Sequence, residues 1–143
     1  MKLYELINPS DQYTFRAPSI EIAGAAVCLI SSQCGAQELP DGESTPVLFG
    51  WDGWLKDRGI DNEWIEAHYA EIADALDSFL IGSAEERAEA ERAMALMTPE
   101  NAAIYRDQRQ DRKRTSLSRI GETAYHNAKK IREYLQRKES EQP

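Results

Sequence analysis

The stretch from Asp61 to Ile81, DNEWIEAHYAEIADALDSFLI, limits what this chain can fold into more than any other. Ile65, Tyr69, Ile72, Leu76 and Phe79 recur at spacings of four, three, four and three, with Leu80 beside the last. That spacing is the pattern of a helix with one face in a core. Asp61 can cap its start and Gly82 can stop it, which predicts one helix of about five to six turns. The opposite side carries Glu63, Glu66, Asp74 and Asp77, an acidic row in need of a reading.

Charge is divided unevenly along the chain. Residues 1–105 hold 19 Asp and Glu against 6 Lys and Arg, net −13, whereas residues 106–143 hold 6 against 11, net +5. This predicts an acidic helical body, 1–105, and a basic C-terminal helix, 106–143, belonging to the same domain or serving as a dimerisation arm. The bland expectation is that the two attract each other. At 143 residues the chain suits one domain with a modest core. The most apolar run, Ile20 to Ile30, is too short to cross a bilayer and contains Glu21. No membrane association or signal peptide is expected, and the expected location is the cytoplasm of a bacterial host cell. Cys28 and Cys34, six apart, are too far separated for a disulfide if both lie on one helix, so reduced thiols are expected.

Taken in order, Met1 to Ile7 suits either an edge strand or a first helical turn. Asn8 to Pro18 reads as a loop, with Tyr13 and Phe15 tucked onto the body. Ser19 to Cys34 predicts a helix whose small residues on nearly all sides place it centrally. Gly35 to Pro46 is turn-rich, and Val47 to Phe49 is a candidate strand to pair with Leu3 to Ile7. Ser83 and Glu86 have the spacing of a capping box, so a second helix forms a hairpin with the first. Thr98 and Pro99 start another helix that could run to about Lys138. Arg106 to Ser116 contains no apolar residue, a bridge or a hinge. Leu117, Ile120, Ala124, Ala128, Ile131 and Leu135 then restore a stripe. Lying beyond the polar stretch, that stripe is expected to be covered by a second copy in a homodimer. The fold expected is mainly α: a single-domain helical bundle with a short N-terminal β or irregular element and a long C-terminal helix.

Three constellations bear on function. Trp51 and Trp54, three apart, fit either core packing or, with the acidic row, a partner-binding surface. Arg106, Arg109, Arg112, Lys113 and Arg114 offer a basic helix face for nucleic-acid phosphates, although no aromatic residues are interleaved for stacking. Carboxylates one turn apart suit Mg²⁺. The segment Glu71-Ile72-Ala73-Asp74 resembles the ExxD helix of all-α nucleoside triphosphate pyrophosphatases of the MazG type, a likeness of about seven residues. In that family the two acidic pairs lie on separate helices. Here Glu86 and Glu89 would have to join Glu71 and Asp74 for a Mg²⁺-dependent hydrolase.

A broader likeness is carried by MKLYELINPSDQYTFRAPSIEIA, EIADALDSFLIGS and RTSLSRIGETAYHNAKKI. These segments resemble small accessory proteins encoded by tailed bacteriophages and prophages. The resemblance implies context without catalytic residues: a non-enzymatic protein that binds and modulates a host protein. The expected partner is a component of a bacterial defence system, such as one that binds nucleic acid, met by charge complementarity at Glu63, Glu66, Asp74, Asp77, Trp51 and Trp54. No cofactor is expected on this reading, against Mg²⁺ on the hydrolase reading.

Overall fold

The computed structural model describes residues 1–7, 12–31, 33–47, 50–110 and 120–141. Its architecture is mixed α+β, which corrects the expectation of a helical bundle. A four-stranded antiparallel sheet of order β3-β1-β2-β4 is built from β1 (Lys2–Ile7), β2 (Tyr13–Ala17), β3 (Gly35–Glu38) and β4 (Leu80–Ile81). Tyr4 lies opposite Phe15 in β1–β2, and Leu6 opposite Ala36 in β1–β3. The segment read as a loop therefore supplies a central strand; of the candidate strand Val47 to Phe49, Val47 is not part of the sheet and the other two residues lie outside the described residues. Alternation explains the strand: Tyr13, Phe15 and Ala17 face one side and are fully buried. Where β4 is too short to pair, the Ser78 hydroxyl takes over. It accepts from the Arg16 amide at 2.7 Å and donates to the Arg16 carbonyl at 3.1 Å.

Against that face pack α1 (Ile20–Ile30) and α4 (Tyr69–Asp77), and α7 (Ile120–Glu141) lies over both. Tyr4, Phe15, Phe79 and Tyr13 form a run of ring contacts through the core, with centroids 4.5 to 6.3 Å apart. Ser19 caps α1 by accepting from the Ile22 amide, and Ala23, Ala25 and Ala26 are fully buried, so the central helix of small residues is as the sequence implies. It is shorter than Ser19–Cys34, because Cys34 lies beside β3. Both cysteines are free thiols. Ile120, Ala124, Ala128 and Ile131 are buried by the chain's own α4 and α1. The reason for expecting a second copy over this stripe is thereby removed.

The long helix expected over Asp61–Ile81 is two helices and a strand: α3 (Asn62–Ala67), α4 and β4. They divide at His68, whose backbone sits at φ −111°, ψ 18°. Its ring stacks on that of Trp64 with Nδ1 2.7 Å from the Trp64 carbonyl, and its amide is shared between the Trp64 and Ile65 carbonyls, both at 3.1 Å. Gly82, at φ +131°, turns the chain out of β4. Then α5 (Ala84–Ala95) begins with the full Ser83–Glu86 capping box. The helix α6 (Pro99–Gln110) begins with Thr98 accepting from the Asn101 amide. The helix expected to run from Thr98 toward Lys138 is described as α6 and α7, and the all-polar stretch and Leu117 fall largely outside the described residues. No helix among the described residues is long and apolar enough to cross a membrane.

Candidate functional site

Asp74 and Asp77 lie one turn apart on α4, and Arg132 of α7 reaches both, at 2.8 Å for Asp74. Burial disfavours the Arg132 charge, but hydrogen bonds and charge from Asp77 and Asp74 outweigh it and raise its pKa. Glu66 accepts from the Tyr134 hydroxyl and sits 3.6 Å from Lys138. That hydroxyl is the main reason the Glu66 carboxyl titrates below its ordinary value. The acidic row is thus largely matched by α7 within one chain. Glu63 stays exposed, with no ion pair to a described residue.

The tryptophans serve as walls. Trp51 in α2 (Trp51–Asp57) is buried, and its indole N–H finds no hydrogen-bond partner among the described residues. Trp54 lies so close to Gly24 that a Cβ there would come within 2.5 Å of its ring, and Arg58 covers that ring at 4.8 Å. The four carboxylates of the hydrolase reading are put to separate uses. Glu86 completes a capping box, Asp74 holds Arg132, and Glu71 and Glu89 are exposed. Among the described residues no group of three His, Cys, Asp or Glu is placed to hold a metal ion. Of the basic set, Arg109 donates to the Ile81 carbonyl at 2.8 Å and lies over Tyr105, so it faces the body. Arg106 is half-buried, and Arg112, Lys113 and Arg114 lie outside the described residues.

What the fold brings together instead is a cleft of about 280 Å³ between α4, β4, α5 and α6. It is lined by Asp74, Asp77, Ser78, Leu80, Arg87, Glu91, Met94 and Arg106. At its base Arg87 is only 5% exposed. Its Nη1 donates to the carbonyls of Thr14 and Ser78, both at 2.8 Å, and its Nε to Glu91. Arg16 grips the same carboxylate with two bonds, at 3.2 and 3.1 Å. Burial pushes the Glu91 carboxyl up, but hydrogen bonds and charge from Arg16 and Arg87 prevail and hold it below its ordinary value. The sequence carried one faint sign of this clasp, the i, i+4 spacing of Arg87 and Glu91. Its other half, Arg16, is 75 residues away.

A second feature lies where α5 turns into α6. Leu96 is 91% exposed, Ile104 55% and Met97 36%, with the exposed Ala95 and Ala103 close by in the chain. Compared with known protein families, curated proteins and solved structures, the chain matches none.

Proposed function

We propose that the chain is a phage-encoded accessory protein that binds a host protein, without chemistry of its own, and thereby inhibits a bacterial defence system. The observation that carries this reading is the apolar end of the α5–α6 hairpin. Leu96 and Met97 left exposed at the α5–α6 turn, with Ile104 exposed further along α6, are the kind of apolar surface that a protein partner covers. The likeness of three segments to tailed-phage accessory proteins supplies the context. A net charge of −8 favours a partner with a basic rim and speeds encounter with it. Relative to the sequence-based expectation, the class of function is kept and the contact surface moves. Asp74, Asp77 and Glu66 are engaged by α7, whereas Leu96, Met97 and Ile104 are uncovered.

The test compares the wild type with Leu96→Asp/Ile104→Asp in bacteria carrying defence systems. The wild type is expected to raise the plating efficiency of a sensitive phage and to retain one host protein through purification. The double variant is expected to lose both while melting within a few degrees of the wild type, because exposed substitutions change stability by about 0.5 kcal/mol or less. Equal protection by both proteins would remove the hairpin from the reading.

A further inference from the structure

We infer that the cleft between α4, β4, α5 and α6 binds a small oxyanion, a phosphate or a carboxylate, held between the guanidinium groups of Arg87 and Arg106. The argument begins with charge. Arg16, Arg87 and Arg106 converge on this region, and Glu91 is the carboxylate that answers them. Both of its oxygens are already used, Oε1 by Arg16 and Arg87 and Oε2 by Arg16. The other two carboxylates of the lining, Asp74 and Asp77, are bound by Arg132. Arg106 therefore has no ion pair among the described residues, although it is half-buried in the cleft wall.

Arg87 is similarly incomplete. Its Nε and Nη1 are committed to Glu91, Thr14 and Ser78, and its Nη2 makes no hydrogen bond to a described residue. After burial itself and the opposing pull of Glu91, the positive charges of Arg16 and Arg106 are what lower its pKa, so the guanidinium groups are near enough to repel. Leu80 and Met94 form the apolar part of the wall, where the effective dielectric is low and both repulsion and anion attraction are strengthened. A guanidinium fork matches the planar edge of a carboxylate or the oxygens of a phosphate. The size of the cleft favours a small group, since about 280 Å³ is at the lower end of ligand cavities.

Arg106→Gln is the informative variant, because Arg106 is partly exposed and supports no described hydrogen bond. Thermal melts at pH 7.5 and constant ionic strength would be recorded with sodium phosphate, sodium acetate or sodium chloride. Phosphate or acetate is expected to raise the wild-type Tm by a few degrees beyond chloride, by mass action on the native state, and less than half of that rise is expected in Arg106→Gln. In chloride alone the variant is expected to melt no lower than the wild type, because a repulsive charge has been removed. A response to phosphate alone assigns a phosphoryl group, to acetate alone a carboxylate, and to both an oxyanion of either shape. Amide resonances of Ser78, Arg87 and Arg106 should shift in the same titration. Equal responses in the two proteins, no response beyond chloride, or a variant less stable in chloride would overturn the inference. Tighter displacement of the shifts by a short DNA duplex than by phosphate would also overturn it.

Discussion

Where α4 meets α1, α7 and the sheet, Ile72, Ala73, Ala75 and Leu76 are fully buried among Phe15, Val27, Phe79, Ala124 and Ala128. Where α5 meets the sheet, its two buried residues are Ala90 and Arg87, and α6 buries none of its described residues fully. The first region is held by apolar area removed from water. The second hangs by hydrogen bonds from arginines to backbone carbonyls: Arg87 to Thr14 and Ser78, and Arg109 to Ile81. Apolar packing is dense and cooperative, whereas a polar tether concentrates its hold in a few contacts and can open locally. The exposed Leu96 and the charged cleft both belong to the tethered region, as expected if binding is placed where the fold can yield.

The contrast is sharpest under a charge in the packed half. Leu76 has no exposure, so Leu76→Asp buries an unpaired carboxylate and is expected to cost more than about 4 kcal/mol, enough to unfold a domain of this size. Circular dichroism of the purified variant is the measurement. A variant with wild-type ellipticity and melting temperature would mean that the α4 stripe is not the centre of the core.

Arg87→Met probes the tethered half. Methionine keeps much of the volume but takes the donor from two carbonyls and leaves Glu91 to Arg16 alone, an expected loss of about 3 kcal/mol. The location of the loss matters more than its size. Native-state hydrogen exchange should show amides of α5 and α6 opening first, while those of β1, β2 and α4 still exchange through global unfolding. A uniform acceleration over all elements would join the hairpin and the core into one cooperative unit and dissolve the comparison.

How much of this was legible in the sequence follows the same division. The packed helices announce themselves by local rules: Ser19 as a cap, the small-residue face of α1, the Ile72–Leu76 stripe, and the Ile120–Ile131 stripe of α7. The starts of α5 and α6 were legible through Ser83, Glu86, Thr98 and Pro99, but the hairpin expected between the Asp61–Ile81 helix and the next is replaced by β4, and α5 pairs with α6 instead. The sheet was not, since β3 is GAQE, poor in β-formers, and β4 has two residues. Tyr13, Phe15 and Ala17 do alternate, but the flanking Pro9 and Pro18 suggested a loop. The break at His68 is a departure of one residue's backbone from helical angles, which spacing does not reveal. The covering of the α7 stripe by α4, and the meeting of Arg16 with Glu91, depend on a chain path that local patterns leave open. The spacing of Trp51 and Trp54 suits core and surface alike, and Gly24 beneath Trp54 accounts for the close packing of that ring.

Acid should separate the two halves by the smallest step. Glu91 has a folded-state pKa below its unfolded value, because Arg16 and Arg87 together outweigh its partial burial. A lowered carboxyl pKa stabilises the fold fully above the unfolded value, near 4.5, and that contribution disappears as pH falls through the folded value. Below about pH 4.5 the tether should therefore weaken at Glu91 while the apolar packing of α1, α4 and α7 is unchanged. Glu21, bound to Arg58, and Glu66, bound to Tyr134, also titrate low and will contribute elsewhere. The comparison accordingly needs Glu91→Gln, which keeps the shape and removes the titration. In the wild type, exchange in α5 should accelerate between pH 4.5 and 3, relative to α4, by more than the intrinsic rate predicts. In Glu91→Gln the same amides should already be less protected at pH 6 and should change little further. If the α5 profiles of the two proteins coincide over that range, the clasp is held by shape and hydrogen bonding without a charge contribution, and the distinction between the halves narrows to packing density alone.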